Sequence, residues 1–150
     1  MDATTMADSV SADLDQLEDD HQVQRALCRD LEAIADALPD APSPDTIRRV
    51  GERIERVAAL HFPRALALLG TLPADCAPSP EEFAILAAMQ ANDATHGEDL
   101  VVALWRHVRR DPGVNAVQLG YMLRCYFDGC RRAIAFKESL LARARTGTRH

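Results

Sequence analysis

At 150 residues, 47% apolar and only 5% aromatic, the chain is sized for one domain with one core. A formal net charge of −6 opposes contact with phosphate backbones, and no run approaches the roughly 18 apolar residues of a membrane span. Composition thus argues against nucleic acid and membrane as partners, and the acidic start MDATTMADSV, without an apolar signal core, reads as cytoplasmic.

The charge is unevenly spread. Residues 1–100 hold 20 acids against 7 Arg, and residues 101–150 hold 3 acids against 10 bases. In a helical protein this predicts acidic helices lying beside basic ones. Residues 1–12 are polar, acidic and aperiodic and are expected to form a disordered tail. The first helix is expected over 13–38, with Leu14, Leu17, His21, Gln24, Cys28, Leu31, Ala35 and Leu38 inward in steps of three and four, until Pro39 stops it.

The second helix opens at Ser43-Pro44, a side-chain cap before a first-turn proline, and runs to Gly70. Its stripe is Ile47, Val50, Ile54, Val57, His61, Ala65 and Leu68, and Pro63 predicts a kink beside His61. The third helix opens at Ser79, which forms a capping box with Glu82, and carries Leu86, Met89, Asp93, His96, Leu100, Ala103 and His107. The fourth runs from about Asn115 to Ala144, with Leu119, Met122, Tyr126, Ala133, Lys137 and Leu140 inward, and 145–150 should fray. Short connections predict antiparallel neighbours, so the expected fold is all-α, an up-down-up-down four-helix bundle over 13–144.

None of Cys28, Cys76, Cys125 and Cys130 forms a CxxC pair, so they read as reduced thiols, with Cys28 buried and Cys76 exposed in a loop. The histidines carry more. His21 precedes Leu38 by as many residues as His61 follows Pro44, which puts both about 25 Å from the joint between those helices. His96 falls near the same height. Three imidazoles in one layer suit a single Fe(II) or Zn(II) with an open position, and equally three satisfied core histidines. Asp93, three residues before His96, would orient an imidazole or complete the site, and Glu98 lies near in sequence.

Three phrases carry a resemblance: Leu17-Glu18-Asp19-Asp20-His21, His61-Phe62-Pro63-Arg64-Ala65, and Ala133-Ile134-Ala135-Phe136-Lys137-Glu138-Ser139-Leu140-Leu141, with His96 between the second and third. In order and spacing they resemble the hemerythrin-like (HHE cation-binding) domain, a four-helix bundle that holds two irons. The resemblance implies ligands from one His on the first helix, HxxxE on the second, one His on the third and HxxxE on the fourth. It also implies oxygen, nitric oxide or redox sensing. Here Ala65 stands where the second-helix Glu belongs, and Ala133 and Lys137 where the fourth-helix His and Glu belong. Three neutral imidazoles cannot balance two irons, and a protonated Lys137 would repel them, so the substitutions argue against a di-iron centre. An alignment one residue earlier would offer Arg132 and Phe136 instead.

The expected function is a hemerythrin-like protein with a degenerate site. In one reading it binds one metal through His21, His61 and His96 and meets a small diatomic ligand. In the other it is a metal-free interaction or regulatory module, monomeric or homodimeric, with a protein partner. No nucleophile–base motif or phosphate loop argues for an enzyme. Lys137, the only lysine, has three readings: an ammonium that replaces lost metal charge and pairs with Asp93, a nucleophile, or a chain that snorkels to the surface. Ala65 and Ala133 would leave a small cavity unless Phe62, Phe136 or Tyr126 fills it.

Overall fold

The computed structural model describes residues 3–148, except the side chains of Ala3, Met6, Ala7 and Thr148. Its elements are α1 (Ala3–Ala37), α2 (Pro44–Arg56), a π-helical turn (Val57–His61), α3 (Phe62–Gly70), α4 (Pro80–Val108) and α5 (Ala116–Thr148), with no strand among the described residues. The backbone stays right-handed helical through Arg56, Val57, His61 and Phe62, so α2, the π turn and α3 form one continuous rod. No helix among the described residues is long and apolar enough to cross a membrane.

The expected caps form. Ser43 accepts from the Thr46 amide, and Ser79 and Glu82 exchange hydrogen bonds as a capping box. Asn115 Oδ1 takes the amides of Val117 and Gln118 at the start of α5. Pro63 shapes the middle of the second rod. It has no N–H for the carbonyl four residues back, and its ring crowds that carbonyl, so the turn before it widens and the Phe62 amide reaches back to Val57. Where a kink was expected the rod carries this π turn, which ends on His61.

Helix α1 starts earlier and α5 ends later than the apolar pattern alone predicts. Nothing between Ala3 and Asp13 breaks a helix, and α1 extends back through those residues. At the other end Arg145 binds Asp15 and Glu18, and a Cβ on Gly147 would lie 2.6 Å from that of Cys76. The end of α5 therefore covers Cys76, which is buried rather than exposed. Met1, Asp2 and residues 149–150 lie outside the described residues.

α1 packs on α5, α5 on α4, and α4 on α2, with α3 touching both α1 and α4. Ion pairs join α1 to α5 along their length: Asp15 and Glu18 bind Arg145, Arg25 binds Glu138, and Glu32 binds Arg131. The charge asymmetry of the sequence resolves into these inter-helix pairs. Two apolar clusters form the core. One gathers Leu27, Leu31, Ile47, Ile54, Leu100, Leu104, Leu123 and Tyr126, the other Leu14, Leu17, Ala65, Leu69, Leu86 and Leu140.

Candidate functional site

Buried polar side chains from four helical segments fall along the helices between the two apolar clusters: His21 and Gln24 on α1, His61 at the end of the π turn, Gln90 and Asp93 on α4, and Lys137 on α5. At the middle is Lys137, with no exposed surface. Its Nζ donates to His61 Nε2 at 2.9 Å and to Gln90 Oε1 at 3.1 Å, and lies 5.5 Å from the centre of the Phe62 ring. The Gln90 amide nitrogen in turn donates to the Phe62 carbonyl at 3.1 Å.

The two faces of His61 fix its tautomer. Nε2 meets an ammonium and must accept, so Nδ1 carries the proton and donates to Asp20 Oδ2 at 2.9 Å. Asp20 also takes Arg64 Nη1 on both carboxylate oxygens, at 2.7 and 2.9 Å. An Arg64–Asp20–His61–Lys137–Gln90 chain thus runs from the protein surface to its centre. Beside it His21 stands edge-on to His61, the ring centres 5.3 Å apart. Neither ring nitrogen of His21 has a hydrogen-bond partner, and the nearest carboxylate is Glu138, 3.6 Å from Nδ1.

Burial governs the protonation of this layer. It pulls the Lys137 ammonium down to about 8, partly countered by the carboxylates of Asp93 and Asp20. Burial, helped by the Lys137 charge, depresses His61 to about 4 and His21 to about 3, so both imidazoles are neutral at pH 7. Burial also raises the Asp93 carboxyl to about 6, against the pull of Lys137, His96 and Arg132. It would raise Asp20 too, but hydrogen bonds from His61, Arg64 and Gln16 outweigh it and hold that carboxyl below its ordinary value.

Of the three expected metal ligands, the structure brings His21 and His61 together and leaves His96 out. His96 is exposed, in a surface depression with Asn92, Tyr121, Arg124 and Asp128. The inward stripe of α4 is Leu86, Gln90, Asp93, Gly97, Leu100 and Leu104. Gly97 takes the inward place because helix α4 passes close to α2 and α5 there. A Cβ at that position would fall 2.7 Å from Ile54 Cγ2 and 3.2 Å from the Tyr126 ring. Met89 and His107, expected inward, are half-buried.

Asp93 is buried, but it faces Gly129 on α5 rather than any imidazole, and its Oδ2 lacks a partner. Glu98 is exposed on the rim of the groove between α2 and α4. Ala65 and Ala133 are both buried, in line with the stripe. Of the readings held open for Lys137, snorkelling is overturned: His61 and Gln90 supply buried acceptors, so the ammonium has no need to reach water. Arg132 is exposed and Phe136 half-buried, so the earlier alignment puts no ligand inside.

Among the described residues no three His, Cys, Asp or Glu side chains converge as a metal would require. The donor set does not fit the family's iron pair. Carboxylates are missing where the bridges belong, and the Nε2 lone pair of His61 is already taken by a cation. Two participants were not singled out as site residues from sequence. Asp20 lay within the first phrase of the resemblance, and Gln90 carried no signal except its place one residue after Met89. Comparison with protein-family models, curated proteins and solved structures finds no match.

Proposed function

We propose that this chain is a hemerythrin-like, up-down-up-down four-helix bundle whose centre is held by an ammonium in place of a metal, and that it works as a metal-free binding or regulatory module rather than an enzyme. The observation that carries this reading is Lys137 Nζ, fully buried and 2.9 Å from His61 Nε2. A cation there consumes the lone pair that a metal would need and repels a second positive charge. The ammonium also satisfies His61, so that imidazole is held by hydrogen bonds rather than by coordination. The bundle topology draws support from the pairing of early α1 with late α5 and from short connections at 38–43 and 109–115.

A mononuclear site of His21, His61 and His96 is the weaker reading, because the outward face of α4 carries His96 away from the other two. Elemental analysis separates the readings. Untagged protein, incubated anaerobically with Fe(II) or Zn(II) and desalted, is expected to retain no stoichiometric metal. Retention of about one metal per chain, lost in a His21→Ala, His61→Ala variant, would overturn the ammonium-centred reading.

A further inference from the structure

We propose that Lys137 is a site of reversible carbamylation: its side-chain amine takes up carbon dioxide, with His61 receiving the displaced proton. The inference deepens the ammonium-centred reading and rests on it. The geometry is that of a nucleophile, a base and an orienting group. Lys137 Nζ lies 2.9 Å from His61 Nε2, and the opposite nitrogen of the same ring donates to Asp20 Oδ2 at 2.9 Å. The hydrogen bond to Asp20 keeps the His61 lone pair on the side that faces the amine, and the carboxylate stabilises the imidazolium once it forms.

Burial selects the electrophile. With Lys137 wholly enclosed, a carbonyl substrate of ordinary size has no approach to Nζ, whereas a small, uncharged, linear molecule can pass between packed side chains as they fluctuate. The same burial favours the free amine, which is the reactive form, by pulling the ammonium down to about 8. His61 from the π turn and Gln90 from α4 touch the amine, and Asp20 and His21 from α1, Asp93 from α4 and Cys130 from α5 act on it at longer range.

The ammonium first loses one proton to solvent. The free Nζ lone pair then forms a bond to the carbon of CO2, and one C=O pair moves onto its oxygen. The second N–H proton passes to His61 Nε2. The products are a neutral N–H, a carbamate anion and an imidazolium, so a buried cation is exchanged for an adjacent anion–cation pair. His21 supplies what the new anion needs. It is fully buried, and neither of its ring nitrogens has a hydrogen-bond partner.

Because Lys137 is the only lysine, the assay has a single side-chain target. The full chain would be equilibrated with isotope-labelled bicarbonate and CO2 near pH 8. The carbamate would then be trapped by alkylation with a trialkyloxonium salt and mapped by peptide mass spectrometry. Label is expected on Lys137, absent in Lys137→Met, and acquired about a hundredfold more slowly in His61→Leu. Circular dichroism of both variants would exclude unfolding as the cause. Label confined to the N-terminal amine of folded, metal-free wild-type protein would overturn the carbamate alone. Metal found by elemental analysis would overturn the reading beneath it.

Discussion

The imidazoles of His21 and His61, held near 3 and 4 against an ordinary 6.5, make acid a stress on this fold. Between pH 6.5 and 4 the unfolded chain binds protons at both rings that the folded chain refuses. Their contribution is complete above pH 6.5 and is lost as pH falls through that window. Asp93 works the other way. Its carboxyl, raised from 3.8 to about 6, holds a proton in the folded state that the unfolded chain releases, so it adds stability as pH drops below 6. Two groups oppose one, and urea midpoints should fall between pH 7 and 4.5 by the equivalent of about 2 kcal/mol. Asp93→Asn removes the offset and should steepen the decline; a midpoint that rises on acidification would refute the account. The same residues show where sequence reading stops. The stripes Leu86-Met89-Asp93-His96-Leu100 and Leu86-Gln90-Asp93-Gly97-Leu100 are both regular, and side-chain character favoured the first. What selects the second is the space between α4, Ile54 and Tyr126, and the need of Lys137 for an acceptor, neither of which is written in α4 itself.

The second rod shows how an element encodes a site. Ile47, Val50, Ile54 and Val57 recur in steps of three and four, as do Phe62, Ala65 and Leu69, and all are buried. Between Val57 and Phe62 the step is five. The π turn absorbs that extra residue, and it sets His61 on the inner side beside the stripe rather than within it. Pro63 was legible as a disturbance, and the caps and ends of the helices followed from Ser43, Ser79 and Gly70. The form of the disturbance was not legible, because His61, Ala65 and Leu68 also fit an unbroken stripe and conceal the step of five. Deleting exposed Ala59 together with Pro63→Ala should convert the turn to α-helix and restore steps of three and four throughout. Circular dichroism should stay helical and unfolding cooperative, while His61 rotates out of the core and parts from Lys137. An imidazole that titrates near 6.5 in this variant, against about 4 in the parent, would mark that separation in a nuclear magnetic resonance titration. A titration still near 4 would contradict the role given to the π turn.

On the scale of the whole molecule, the polar layer and the two apolar clusters make different demands. The clusters favour folding through buried apolar area, whereas the layer holds an ammonium and two imidazoles away from water, which costs free energy even when they are paired. The layer is therefore a place where this sequence is not optimised for stability. The effect of removing it depends on how it is removed. Gln90→Leu alone takes away one of the two acceptors of Lys137 and a side-chain donor to the Phe62 carbonyl, and should destabilise by about 1–3 kcal/mol. Replacing four of its six members together, with Lys137→Met, His61→Leu, His21→Leu and Gln90→Leu, removes Lys137 along with its buried acceptors and extends the apolar clusters toward each other. That variant should be more stable than the parent by about 1–4 kcal/mol, measured by urea denaturation at pH 7. The opposite signs are the critical result, since independent contributions would give the combined variant the sum of its single losses. A combined variant less stable than the parent would mean that the hydrogen-bonded layer holds the four rods together, rather than the apolar clusters on either side of it.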